Sequence, residues 1–202
     1  TIDYGIAQNR YKKDLCNDFD VEDLSNYIKP ERDLQFTYLG IKTAIDKYLT
    51  RDALGQTFEL PQHMFMMIAM FLASKEKPKD KQQKAKDFYD VISKFEVMVA
   101  TPTLSGARKI RSQLSSCFIG SAPDNIEGIF DSYKEMSLLS KFGGGIGWDW
   151  NEVRCRSSVI DNNVNAAGGT TPWLKITNDI AIAVDQLGTR KGAIAVYLEP
   201  WH

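Results

Sequence analysis

The sequence predicts an α/β protein in which a helical region over residues 1–97 feeds a run of alternating strands and helices over 98–202. Two observations predict it. Up to about residue 97 the apolar residues recur at helical spacing, and beyond it short runs rich in β-branched and aromatic residues alternate with punctuated helices. Strands that alternate with helices pair in parallel, because the helix supplies the crossover.

In the first region Pro61 opens a segment in which Met64, Met67, Ile68, Phe71 and Leu72 form one apolar stripe, so a helix with one face toward a core is expected. Four of the six methionines, at 64, 66, 67 and 70, sit in this segment and read as buried packing rather than as an adaptable binding surface. The charged run from 75 to 81 is a solvated turn. Ala85, Phe88, Ile92 and Phe95 then resume the helical spacing.

In the second region residues 113–119, 142–150 and 193–198 are the expected strands. Asp124 with Glu127 three residues on forms a capping-box-like helix start, leading into Ile126, Ile129, Phe130, Tyr133 and Met136. A second helix opens at Thr171-Pro172, carries Trp173, Ile176, Ile180, Val184 and Leu187 as its buried stripe, and stops at Gly188. No internal repeat or low-complexity segment is present.

At 202 residues and 43% hydrophobic content the chain can bury a sizeable core in one or two domains. Lysine and arginine number 25 against 26 acidic residues, so no electrostatic argument points to nucleic acid. No apolar run approaches ~18 residues and no leader-like start is seen, so neither a membrane partner nor export is expected, and a cytoplasmic setting fits. Cys16, Cys117 and Cys155 lie far apart, without CxxC spacing and with only two histidines, which argues against a disulfide scaffold and against a metal site. The chain starts on Thr and ends directly after a strand-like run, so it is expected to be a piece of something longer.

Three stretches could carry chemistry. Cys117 follows Ser115 and Ser116 at the end of a strand-like run, where the alternatives are a reactive thiol or a small buried side chain. The run Gly143-Gly144-Gly145-Ile146-Gly147 fails the dinucleotide fingerprint, because Trp148 stands where the third glycine is required. It permits either close ligand approach or tight packing against a neighbour. Arg154 and Arg156, and the segment 185–192 with Arg190 and Lys191, place cations beside glycine-rich backbone, which suits phosphate but is also ordinary surface charge.

Taken together in order, Pro61-Gln62-His63-Met64, Thr101-Pro102-Thr103-Leu104, Leu114-Ser115-Ser116-Cys117-Phe118, the segment from Asp124 to Ile129, the glycine run, Gln186 with its Gly-Thr-Arg-Lys loop, and Tyr197-Leu198-Glu199-Pro200-Trp201-His202 resemble the large subunit of class I ribonucleotide reductases. The resemblance covers nearly the whole chain. It implies a helical region followed by the first part of a ten-stranded α/β barrel. The implied activity is radical-based reduction of ribonucleoside diphosphates, with electrons from a cysteine pair.

By that resemblance Cys117 matches one member of the reducing pair, and Thr101, Ser116 and Gly145 match substrate-holding positions. Asp124, Asn125, Ile126 and Arg154 match the effector site, with Gln186, Gly188 and Arg190 on the loop that passes effector identity to the substrate. A second arginine found in some relatives is replaced here by Asp161, which removes one expected phosphate contact after Ile160. The implied partners are a deoxynucleoside triphosphate or ATP effector with Mg2+, a metal-containing small subunit that supplies the radical, and thioredoxin or glutaredoxin as reductant. A homodimer is implied through the helix after Asp124, with Ile129, Tyr133 and Met136 shared between core and partner.

The family's Asn-x-Cys-x-Glu segment with the radical cysteine, the second reducing cysteine, the tail cysteines and the ATP cone have no counterpart in these residues, so the piece alone is expected to be inactive. Cys16 and Cys155 fit none of the family's cysteine contexts and read as ordinary thiols. The rival expectations are a non-catalytic nucleotide-binding module and a structural helical scaffold.

Overall fold

The computed structural model describes residues 1–110, 112–184 and 192–202, which form two compact units, Thr1–Leu114 and Ser115–His202. In the first unit the elements are α1 (Ile2–Ala7), α2 (Val21–Tyr27), a 3-10 segment over Pro30–Gln35, α3 (Tyr38–Thr43), a π-helical turn over Ala44–Tyr48, α4 (Pro61–Ala73), α5 (Lys81–Ser93) and α6 (Thr101–Gly106). The texture change at residue 97 therefore falls inside this unit, ahead of α6.

Pro61 opens α4 as expected, because its fixed φ and missing N–H cost nothing in a first helical turn. The single stripe does not describe it. Every residue from Met64 to Met70 is buried, together with Pro61, Gln62 and Ala73, while Phe71 and Leu72 keep partial exposure. The reason is position: α5, α6 and the 3-10 segment all pack on α4, so it is enclosed rather than laid on a surface. Methionine suits such a helix, since its unbranched chain fills gaps of irregular shape. The charged run forms an exposed turn, from which Lys81 reaches Asp18 at 2.6 Å.

The most deeply buried charges lie beside α6. Arg108 and Glu59 are fully enclosed and form a two-pronged ion pair. The guanidinium also donates to the carbonyls of Leu104 at 2.6 Å and Tyr48 at 2.9 Å, and Glu59 accepts from the backbone N–H of Thr50 at 2.7 Å. Both charges are thus satisfied by several partners, which makes burial tolerable.

In the second unit β1 (Cys117–Ser121), α7 (Ile126–Lys141), β2 (Gly145–Asp149), α8 (Thr171–Ala183) and β3 (Ile194–Tyr197) alternate, and the strands form a parallel sheet in the order β1-β2-β3. β2 and β3 fall inside the expected runs and are shorter than them, whereas β1 begins four residues later than expected and extends two residues past the run's end. Gly143, at φ 93°, turns the chain out of α7 and delays β2 to Gly145. Ile129, Tyr133 and Met136 of α7 pack with Ile146 and Trp148 of β2 and with Trp150 in one core. The expected sharing of those three residues with a partner is thus corrected, since they are buried within the unit. Ile126, Phe130 and Leu138 are the exposed apolar residues of α7.

Two further details differ. The cap of α7 is Asn125, whose side chain accepts from Gly128 N–H at 2.8 Å, and Asp124 is engaged elsewhere. On α8 the inward face is Trp173, Leu174, Thr177 and Ile180, leaving Ile176 more than a third exposed. Its Thr177 hydroxyl returns to the carbonyl of Trp173. Leu187 and Gly188, expected as the end of this helix, lie outside the described residues. The observed order, a helical region and then a partial parallel sheet, is the α/β arrangement expected from the sequence.

Removing one half of the Arg108–Glu59 pair leaves the other charge buried and uncompensated. Glu59→Ala should destabilise the chain by about 3–5 kcal/mol, read from urea unfolding. A loss below about 1 kcal/mol would contradict the packing described.

Candidate functional site

One face of the sheet is covered by α7 and α8, and the other carries Cys117, Ile119, Gly145, Gly147 and Tyr197. These residues line a cleft of about 840 Å3, joined by Asn178, Ala181 and Ile182 of α8. Cys117 heads β1 and is exposed, so its thiol is reachable from solvent. The parallel register sets it opposite Gly145, and Gly145 N–H donates to the Ser116 carbonyl at 2.7 Å. The Ser116 hydroxyl lies 3.6 Å from the Cys117 sulfur. Ser116, Cys117 and Gly145 are therefore brought together by one strand pair.

The glycine run resolves into separate reasons, residue by residue. A Cβ on Gly144 would overlap the Phe118 ring, and one on Gly147 would overlap the Tyr197 ring, so these two are packing glycines. A Cβ on Gly145 would meet only the Ser116 carbonyl, at an ordinary 3.4 Å. Among the described residues nothing fills the space beside Gly145, which opens onto the cleft. The packing alternative holds at Gly144 and Gly147, and at Gly145 the space stays open.

Thr101 belongs to the first unit, where it is exposed in the first turn of α6. Its hydroxyl lies 3.5 Å from that of Tyr48, a residue that no sequence pattern marks.

A second, smaller cavity of about 300 Å3 lies at the start of α7 and is lined by Asp124, Asn125, Ile126, Val153, Arg154 and Trp173, among others. The four residues expected to form an effector site meet here. Asp124 accepts from the backbone N–H of Arg154 at 3.1 Å and from its Nε at 2.7 Å, with both side chains about one third exposed. Arg154 thus spends its Nε edge on Asp124. Gly168 and Gly169 close the cavity on one side, Gly169 at φ 76° against the Arg156 backbone. Ile160 also lines it, whereas Asp161 does not. Val153, Trp173 and the glycine pair were not foreseen, since hydrophobic spacing marks them only as core or turn. Gln186, Gly188 and Arg190 lie outside the described residues.

Tyr133, beneath this region, donates to the Trp173 carbonyl at 2.8 Å, and burial pushes its phenol up to about 12. Cys16 is half-buried, and burial first and then Asp3 raise its thiol. Cys155 is exposed, with its sulfur 3.2 Å from the Ser158 hydroxyl. Among the described residues no group of three or more His, Cys, Asp or Glu side chains could hold a metal ion, and no helix is long and apolar enough to cross a membrane.

Residues 34–112 match the model of the ribonucleotide reductase all-alpha domain, and residues 115–202 match that of the ribonucleotide reductase barrel domain. The chain is 65% identical over 195 residues to the ribonucleoside-diphosphate reductase subunit alpha of Helicobacter pylori, covering 96% of this chain and 24% of that protein. It is 45% identical to the subunit alpha of Treponema pallidum, over 91% of this chain and 22% of the relative. It is also 38% identical to the ribonucleoside-diphosphate reductase large subunit of Trypanosoma brucei brucei, over 89% of this chain and 22% of that protein. The chain belongs to the ribonucleotide reductase large-subunit family, and it spans about a quarter of the length of these relatives. Its parallel sheet is accordingly the opening part of an α/β barrel.

The exposures predict an order of thiol reactivity. Under native conditions iodoacetamide should label Cys117 and Cys155 well before Cys16, and unfolding should abolish the difference. Peptide mass spectrometry reads it, and a protected Cys117 would contradict the open cleft.

Proposed function

We propose that the chain is part of a ribonucleoside-diphosphate reductase large subunit, and that Cys117 is one of the two thiols that reduce the substrate. The observation that carries this reading is the exposed Cys117 thiol set by strand register beside the unfilled space at Gly145. In the overall reaction the C2′–O bond breaks and a C2′–H bond forms, the hydroxyl leaves as water, and two thiols become one disulfide, which accounts for the two electrons and for the hydrogens that end on C2′ and in the water. Cys117 supplies one thiol, and the other lies outside these residues. Ser116 and Thr101 hold substrate oxygens through their hydroxyls, and the missing side chain of Gly145 lets the sugar lie against the strand. The radical comes from a metal-containing small subunit, and thioredoxin or glutaredoxin restores the thiols. These 202 residues alone carry out no turnover.

The cavity at the start of α7 is the proposed effector site for a deoxynucleoside triphosphate or ATP with Mg2+. Three features support it. The α7 N-terminus offers a favourable potential for phosphate, Arg154 keeps the outer edge of its guanidinium for oxyanions, and Asp124 can accept from a sugar hydroxyl. Gln186, Gly188 and Arg190 belong to the loop we assign to effector reading. A homodimer across α7 would cover Ile126, Phe130 and Leu138, the apolar residues that face outward. The subunit works in the cytoplasm.

In the full-length subunit Cys117→Ser should abolish thioredoxin-dependent turnover while effector binding stays within about twofold. Arg154→Ala should do the reverse, weakening effector binding roughly 10-fold or more through the lost charge-assisted bonds, with Cys117 still able to turn over. Turnover retained by Cys117→Ser would remove the thiol from the reaction, and unchanged calorimetric binding in Arg154→Ala would remove the cavity from effector control.

A further inference from the structure

We propose that Tyr48 is a second hydroxyl donor to the substrate's phosphate, acting beside Thr101. The inference rests on the reading of Thr101 as substrate-binding. It starts from an uncommon backbone: Ala44–Tyr48 is a π-helical turn, a geometry that recurs at functional positions because it re-aims a side chain. The Tyr48 ring packs against the core of the first unit, while its hydroxyl emerges 3.5 Å from the exposed hydroxyl of Thr101.

The pair is held from below by one group. The buried Arg108 guanidinium donates to the Tyr48 carbonyl at 2.9 Å and to the Leu104 carbonyl, three residues beyond Thr101, at 2.6 Å. The π-turn and α6 are thereby fixed to one another through a guanidinium that Glu59 locks in place. Two hydroxyls so close cannot both donate to each other, so at least one O–H is left to point outward. An acceptor-only oxyanion lets both turn toward it, and a phosphate oxygen is such an acceptor. A tyrosine and a threonine attract it through directed hydrogen bonds rather than through net charge. The pair should therefore respond to the phosphate of the nucleotide and be indifferent to its base.

The test uses the full-length subunit with its small subunit and compares Tyr48→Phe, which keeps the ring in the core, with Thr101→Val. Binding of a ribonucleoside diphosphate and of the matching unphosphorylated ribonucleoside is measured by equilibrium dialysis, with KM from steady-state assays. Tyr48→Phe should raise the diphosphate's Kd and KM by roughly tenfold and leave the Kd of the ribonucleoside unchanged. A rise in Thr101→Val without one in Tyr48→Phe would overturn the role of Tyr48 while preserving that of Thr101. No rise in either would overturn the reading of Thr101 and this inference with it. Equal weakening of diphosphate and ribonucleoside by Tyr48→Phe would also overturn the proposal, since it would make the hydroxyl a packing group only.

Discussion

Pairing of β1 with β2 is the constraint on which the proposed chemistry depends. In a parallel pair, residues in register present their side chains to the same face, so placing Cys117 opposite Gly145 decides what stands beside the sulfur. A side chain at 145 would occupy the cleft edge, and a one-residue slip would turn the thiol toward α7. Packing glycines flank Gly145, Gly144 under Phe118 of β1 and Gly147 under Tyr197 of β3, and neither admits a Cβ without displacement of a ring. The core formed by Tyr133, Met136, Ile146 and Trp148 holds the covered face, so the open face is free to be functional.

The second organising feature is that each unit sets its proposed binding residues with an arginine. Arg108 ties the π-turn to α6 from complete burial, and Arg154 ties the turn after β2 to Asp124 at the start of α7. The two differ in exposure and therefore in role. Arg108 has every prong committed inside the protein and can only position others. Arg154 is about one third exposed and can hold its carboxylate while meeting an anion.

Much of this was legible in the sequence, and the exceptions share a physical cause. Periodicity located α4, α5, α7 and α8 and the centre of each strand, because burial of apolar side chains repeats locally. It misjudged how α4 is enclosed, since a helix covered on all sides depends on elements distant in sequence. It assigned the α7 cap to Asp124 when Asn125 fills it, because Asp124 is drawn to Arg154, thirty residues away. The cleft residues Cys117 and Gly145 with the neighbouring Ser116, and the cavity residues Asp124, Asn125, Ile126 and Arg154, come from family resemblance rather than from chemistry visible in any one segment. Tyr48 carried no signal at all, because its significance comes from a π-turn and a guanidinium sixty residues away.

In the proposed reaction the Cys117 sulfur gives up electrons to the substrate. A single turnover in the full-length, pre-reduced enzyme without thioredoxin or any other reductant, quenched and alkylated at once, measures it directly. Cys117 should become resistant to alkylation in step with product formed and appear in a disulfide-linked peptide, while Cys16 and Cys155 remain free. Product formed with Cys117 still fully alkylated would show that its sulfur is not an electron donor.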